Sequence, residues 1–457
     1  MPKLRLLVLS VLLTACTGPR PDLGRLYAMQ ANPEGQPPVV VIHGMLGSRL
    51  VSQGDGREVW PGSTWKILFH DYRSLALEID GETLEPLTDD YRVRGITDRA
   101  AGRDFYGRLI EVLRDAGGYV ETSPGQPVPE ASKSLYVFAY DWRRDIVENV
   151  RELDAYIEKI RRDHLQPDLK VDVVAHSMGG LLTRYYIRYG TLDVLDGNEF
   201  PVNGHGGERI RRAIFLGTPS LGSVKAIQTM LEGFPVGLDR VPPEVLATFP
   251  STYQLLPHPI NRWLVKADGS DLDRDLFDID FWRRFEFSVF DPKIRARIAA
   301  DFERPGDAEQ HLEILERYFE KRLERGRRFV WSLTVPMTDP PLSYAVFGGD
   351  CALTPARVLV EEVGGDSVMR LWPDQIEHPL PGVDYDALML EPGDGVVTKA
   401  SLLARQELDP TVARHRYSFF PLGSAFFLCE RHDALTGNIN FQDNLLHVLL
   451  SADDPGR

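Results

Sequence analysis

Apolar runs alternate with helical patterns along much of this chain. Val39-Val40-Val41-Ile42 is a continuous apolar run ending in His43-Gly44, the mark of a strand buried on both faces. Phe105 to Ala116 carries apolar residues at helical spacing and closes with Gly117-Gly118. Leu135 to Tyr140 reads as a strand, Val147 to Ile160 as a helix, Val171 to Val174 as a strand, Met178 to Tyr189 as a helix and Ile210 to Leu216 as a strand. This β–α–β–α rhythm predicts a doubly wound, mostly parallel sheet. It breaks between about Phe234 and Arg328, where prolines, aromatics and a charged helix from Asp307 to Arg328 suggest an inserted cap. A second insertion is expected from Glu58 to Leu77, with Trp60, Trp65, Ile67, Leu68 and Phe69. Tyr344 to Phe347 and Arg357 to Val360 read as late strands, and Asn438 to Leu450 as the last helix.

The chain has 457 residues, 43% apolar and 26% charged, which is ordinary globular composition for one large α/β domain with insertions or for two to four domains. The net charge of −15 disfavours a nucleic-acid partner, since phosphate binding needs a basic face. Residues 1–15 read as a signal peptide: Lys3 and Arg5 precede the short apolar stretch Leu6 to Leu13. Leu13-Thr14-Ala15-Cys16 looks like a bacterial lipobox, with Cys16 the lipidated residue; a plain signal peptide is the alternative. On that reading residues 16–37 form a lipidated tether and 38–457 the folded domain. The product is exported and anchored to a bacterial membrane, the outer membrane being favoured because Thr17 and Gly18 lack an inner-membrane retention acid. An oxidising compartment permits a disulfide between Cys351 and Cys429, while two cysteines alone do not make a zinc site.

The sharpest chemical signal is Ala175-His176-Ser177-Met178-Gly179-Gly180, between a predicted strand and a predicted helix. A serine on such a turn has its hydroxyl pushed out at the carboxyl edge of the sheet, where it can act as a nucleophile; the alternative is a serine that merely caps a helix. An oxyanion hole would draw one donor from the Met178 N–H and a second from the Met45 N–H, in the turn His43-Gly44-Met45-Leu46-Gly47-Ser48. The acid and base should follow the serine in sequence. Asp394, between Gly393 and Gly395, is preferred over Asp350, Asp384 and Asp386 because a tight loop can present its carboxylate. His432, ahead of the last helix, is preferred over His415 in a basic run and His447 on a helix face. No His-Glu-x-x-His metal motif or phosphate loop is present, so no cofactor is expected.

These segments together resemble the lecithin:cholesterol acyltransferase-like family, which includes lysosomal phospholipase A2 and phospholipid:diacylglycerol acyltransferases. The likeness rests on Val39 to Ser48, where the family usually has Pro in place of His43; on Tyr140-Asp141-Trp142-Arg143; on the serine turn; on Gly217-Thr218-Pro219-Ser220-Leu221-Gly222-Ser223; on Phe249-Pro250-Ser251 with Leu255-Leu256-Pro257; and on Asp394 and His432. It spans residues 38–440 in order, and the cap regions match poorly. The resemblance implies an α/β-hydrolase fold with lid and cap insertions. It also implies acyl transfer from a phospholipid to a lipid hydroxyl, or to water as a phospholipase A-type activity. By the same resemblance Trp60 belongs to a mobile lid, with burial in the core as the alternative; Trp142 is a candidate to line the acyl site, but a buried Asp141–Arg143 pairing that fixes the strand end is the favoured reading of that segment. Lipid and a membrane surface are the expected partners. A secreted lipase acting on neutral glycerides remains open because His43-Gly44 is common in bacterial lipases, and an inactive lipid-binding lipoprotein is the reading from another class.

Overall fold

A computed structural model describes residues 21–29, 36–69, 71–100, 102–128, 132–335, 337, 342–404 and 422–451. The leader, Cys16 and half of the expected tether lie outside these residues, as does His415; within the described half, Leu23–Tyr27 is a short helix whose Leu23 and Tyr27 are buried in the core rather than free tether. The core is one sheet of seven parallel strands: β1 (Val39–Ile42), β2 (Tyr119–Glu121), β3 (Lys133–Phe138), β4 (Val171–His176), β5 (Ile210–Leu216), β6 (Ser343–Gly349) and β7 (Leu422–Leu428). Their spatial order is β7-β6-β5-β4-β1-β3-β2, and every pairing is parallel. Chain order reverses at β1, which lies between β3 and β4, so the carboxyl ends of these strands meet around a crevice suited to a site.

Apolar runs form the central strands because both faces of the sheet are covered there. Val40 and Ile42 of β1 pack into one hydrophobic cluster, and Val39 and Val41 into the other. The first face is closed by helices α2 (Ile146–Asp163) and α3 (Met178–Tyr189), through residues such as Val150, Leu153 and Leu182. The second is closed by α1 (Gly107–Asp115) and α6 (Ile439–Leu450), through Leu109, Leu113, Leu445 and Leu449. Burying each such Leu or Val contributes about 1.5–3 kcal/mol.

Between β5 and β6 the chain leaves the sheet. This excursion carries α4 (Val224–Glu232), a hairpin of Phe234–Val236 with Asp239–Val241, and α5 (Pro305–Ser332), 28 residues long. The expected strand at Arg357 to Val360 forms as Val358–Val363, but it is not part of the main sheet. It pairs in parallel with Leu264–Lys266 and antiparallel with Asp366–Arg370 in a separate small sheet. Its apolar run is real; its partner comes from the excursion, which periodicity does not reveal. β2 and β7, the two edges of the main sheet, escape the periodic pattern because they are short or half-exposed.

Arg325 of α5 ties the excursion to the core. Its guanidinium meets Asp145 at 2.6 Å and Asp193 at 2.8 Å. Asp145 is buried and caps α2 by accepting from the Val147 N–H at 2.8 Å. Burial alone would raise the Asp145 pKa, but Arg325 and the capping bond outweigh it and hold the carboxyl below its ordinary range. A depressed folded pKa stabilises the fold above the ordinary Asp range and loses that contribution as pH falls through the folded value. Arg325→Ala is therefore expected to destabilise the protein by about 3–5 kcal/mol at neutral pH, because it strands a buried carboxylate. The deficit should shrink on acidification, as followed by denaturant midpoints at several pH values.

Candidate active site

β4 runs straight into α3, and Ser177 stands at the junction. Its φ is +54° and ψ −125°, a conformation non-glycine residues seldom adopt. The Ser177 N–H donates to the Leu216 carbonyl at 2.8 Å, which holds the turn against the end of β5. The loop after β1 crosses directly over the serine. A Cβ at Gly44 would fall 2.7 Å from the Ser177 Cβ, so only glycine fits there.

The structure brings Ser177, His432 and Asp394 together. His432 Nε2 lies 3.0 Å from Ser177 Oγ, and His432 Nδ1 lies 2.8 Å from Asp394 Oδ2. The carboxylate fixes the tautomer: Nδ1–H donates to Asp394, leaving Nε2 to accept from the serine hydroxyl. Asp394 sits on the tight loop expected of it, and Oδ1 accepts from the N–H groups of Val396 at 2.9 Å and Val397 at 2.7 Å. Its own backbone carbonyl accepts from the His432 N–H at 3.0 Å.

The charge states follow from these contacts. Burial acts to lower the His432 pKa, yet the Asp394 carboxylate outweighs it and raises the imidazole above its ordinary value. Burial acts to raise Asp394, yet His432 and the two amides hold it below the carboxylate range. Gly217, at φ +58°, lets the chain pass this pair: a Cβ there would lie 3.0 Å from His432 Nδ1.

Two backbone N–H groups adjoin the serine turn: one follows Ser177 in the chain, and the other follows Gly44, which packs against it. Met178 is the first residue of α3, and a first-turn N–H has no partner inside its helix. Met45 follows Gly44, and no hydrogen bond among the described residues uses its N–H. His43 is buried and neutral: Nδ1–H donates to the Gly44 carbonyl at 2.7 Å, and Nε2 accepts from the Tyr140 N–H at 3.2 Å. Burial pushes its pKa down to about 4. Its ring stacks on Tyr140 with centroids 4.1 Å apart.

Trp60 takes the core position, the alternative to a lid, and Trp142 packs beside it next to the Asp141–Arg143 pair. The two tryptophans are buried, 5% and 0% exposed, with ring centroids 5.5 Å apart. Trp60 Nε1 donates to the Leu46 carbonyl at 2.9 Å, and Trp142 Nε1 to the Ser48 carbonyl at 3.3 Å. Both indoles thus brace the loop that carries Met45, because each buried N–H needs an acceptor and the loop carbonyls supply it. Arg143 pairs with Asp141 at 2.7 Å and Asp89 at 2.6 Å beneath them.

The competing residues have other places. Asp384 caps the short helix Tyr385–Met389, and Asp386 lies within it. Asp350 lies 3.7 Å from Lys399 Nζ. His447 is exposed on α6. Cys351 and Cys429 form a disulfide, with Cα atoms 5.0 Å apart, joining the ends of β6 and β7 just before His432. Among the described residues no group of three or more His, Cys, Asp or Glu side chains could hold a metal ion. The sequence pattern marks neither Gly217 nor the bracing role of the tryptophans beyond the place of Gly217 in the Gly217–Ser223 turn.

A parallel doubly wound sheet with a serine at the β4–α3 turn defines an α/β-hydrolase fold. Within that class, residues 129–272 match the family model for lecithin:cholesterol acyltransferase. This stretch is less than half of the chain; it includes Trp142 and Ser177 and stops short of Asp394 and His432. The chain is also similar in fold to a chain in the crystal structure of the Tle4–Tli4 complex, at 16% identity and TM-score 0.57, over 91% of this chain and 98% of that one. A further likeness is to the mature form of the Bacillus licheniformis lipase BlEst2, at 13% identity and TM-score 0.33, over 92% of this chain and 94% of that one. No curated protein matches this chain.

Asp394→Asn should lower the His432 pKa, since burial would then be opposed only by the more weakly acting Asp433. Imidazole NMR titration, with His432→Gln used to assign the resonance, measures this; an unmoved His432 titration would contradict the pairing.

Proposed function

We propose that this chain is a serine-dependent enzyme that transfers an acyl group from a lipid ester, a phospholipid in the first instance, to a lipid hydroxyl or to water. The observation that carries the reading is the unbroken chain Ser177 Oγ–His432 Nε2–His432 Nδ1–Asp394 at a strand–helix turn. His432 takes the serine proton as Ser177 Oγ attacks the ester carbonyl. The carbonyl oxygen becomes an oxyanion, and the Met45 and Met178 N–H groups donate to it. Collapse expels the alcohol, which receives the proton from His432, and leaves an acyl-serine. His432 then deprotonates the acceptor hydroxyl, which attacks the acyl carbon and releases Ser177.

Only neutral His432 can accept the serine proton, so turnover is expected to fall as pH drops through its raised pKa. The match to the lecithin:cholesterol acyltransferase model supports a lipid donor. His43 does not argue for a neutral-glyceride lipase, because its ring is spent on loop packing. An aligned, hydrogen-bonded acid, base and serine argue against an inactive lipid-binding protein. Export and lipid anchoring at Cys16 belong to the same proposal, supported by Leu13-Thr14-Ala15-Cys16. Among the described residues no helix is long and apolar enough to cross a membrane.

The test uses phospholipid vesicles with a labelled acyl chain, with and without a sterol or long-chain alcohol, beside Ser177→Ala. New labelled ester or free labelled fatty acid from the wild type, and a loss of at least about 10³-fold in Ser177→Ala, is expected. Ester as the main product assigns transfer, and fatty acid alone assigns hydrolysis. Equal turnover by the variant would contradict the mechanism.

A further inference from the structure

A buried hydrogen-bond chain connects the loop over Ser177 to the loop that carries His432, and none of its members is one of the reacting groups. The Gly44 N–H donates to the Tyr106 hydroxyl oxygen at 2.9 Å. The Tyr106 O–H in turn meets His176 Nδ1 at 2.8 Å. His176 Nε2 lies 3.3 Å from the His432 carbonyl oxygen. That carbonyl can only accept, so His176 carries its proton on Nε2, and Nδ1 accepts from Tyr106. Each member thus has one role: Gly44 donates to Tyr106, Tyr106 to His176, and His176 to the His432 backbone.

The surroundings keep this chain in one state. Tyr106 is 4% exposed and precedes α1. Burial pushes its phenol well above the ordinary range, and burial with the nearby His432 charge pushes His176 down to about 3. Both therefore stay neutral while His432 cycles between its two forms. The main chain at Tyr106 is itself held: the Phe105 N–H donates to the Asp98 carbonyl at 2.8 Å, and the Phe105 carbonyl accepts from the Thr436 hydroxyl beyond His432. The far side of His432 is fixed by Asp394, whose carbonyl accepts the His432 N–H at 3.0 Å.

We propose that Tyr106 and His176 are positioning residues that set the spacing between the oxyanion-binding loop at Gly44–Met45 and the general base His432. The inference rests on the serine reading given above. Tyr106 touches no reacting atom; it acts through Gly44 and His176. Removing its hydroxyl leaves the Gly44 N–H and His176 Nδ1 unpaired and frees both loops to drift. Catalytic geometry is sensitive to shifts of this size, because a misplacement of about 1 Å can cost about 10²-fold in rate.

The experiment compares wild type, Tyr106→Phe, His176→Phe, His176→Gln and Ser177→Ala as full-length protein on a short-chain p-nitrophenyl ester. A fluorophosphonate titration counts the competent serines. Turnover per titrated serine then excludes misfolded molecules, which a purely structural role would produce. Tyr106→Phe and His176→Phe should lose about 10- to 100-fold in kcat per titrated serine, with KM changed by less than about threefold. His176→Gln should recover much of the loss, because its amide can both accept from Tyr106 and donate to the His432 carbonyl. Should Tyr106→Phe fold poorly, the two His176 variants carry the same comparison alone. Wild-type kcat per titrated serine in Tyr106→Phe or His176→Phe, beside an inactive Ser177→Ala, would overturn the positioning role alone. Wild-type turnover in Ser177→Ala would overturn the serine reading and this inference with it.

Discussion

The close approach of the loop after β1 to the serine at the end of β4 is the constraint on which the site depends. Ser177 holds a positive φ only because its N–H is tied to the end of β5 and its neighbours leave room for the turn. Gly44 passes within van der Waals contact of the serine, so a methyl group at that position would displace one or the other. The parallel sheet brings the two segments together: β1 and β4 are adjacent and in register, Ile42 beside Ala175, and both end on the same edge. The strain at one residue is supported by packing that extends through two hydrophobic clusters on opposite faces of the sheet.

Around that junction, burial sorts three histidines into different states. His43 and His176 are pushed down to about 4 and about 3 and remain neutral hydrogen-bonding spacers. His432 is largely buried too, yet the Asp394 carboxylate 2.8 Å away moves it the other way. The Asp394 carboxylate, more than any other group, thus sets His432 apart from the other two histidines. The disulfide and the Arg325–Asp145 pair act further out: the first joins the strand ends before His432, and the second fixes the long helix of the excursion to the start of α2.

Much of this was legible in the sequence, for identifiable reasons. β1 is a continuous apolar run, β4 and β5 carry the runs Val173 to Ala175 and Ala213 to Leu216, and α3 begins and ends where its pattern does, so the turn at Ser177 could be read from its flanks. Asp394 was distinguishable because adjacent glycines mark a tight loop, and His432 because it precedes α6 rather than lying on it. The rest depends on contacts between residues far apart in sequence. Nothing local marks Tyr106, whose partners are 62 and 70 positions away. Nor does spacing say that Trp60 and Trp142 donate to the loop at Leu46 and Ser48, or that Val358–Val363 pairs with a strand from the excursion. Aromatic residues in an insertion read equally well as lid or as core until their indole acceptors are known.

In the proposed mechanism Ser177 carries the acyl group between donor and acceptor. Acid-quenching the protein within the first turnovers on phospholipid vesicles, followed by peptide mass spectrometry, tests it most directly. One fatty-acyl adduct is expected on the peptide containing Ser177, formed on the wild type and absent from Ser177→Ala, with Asp394→Asn accumulating it more slowly. Turnover with no acyl adduct at Ser177, or an adduct on another residue that forms and decays at the turnover rate, would contradict it.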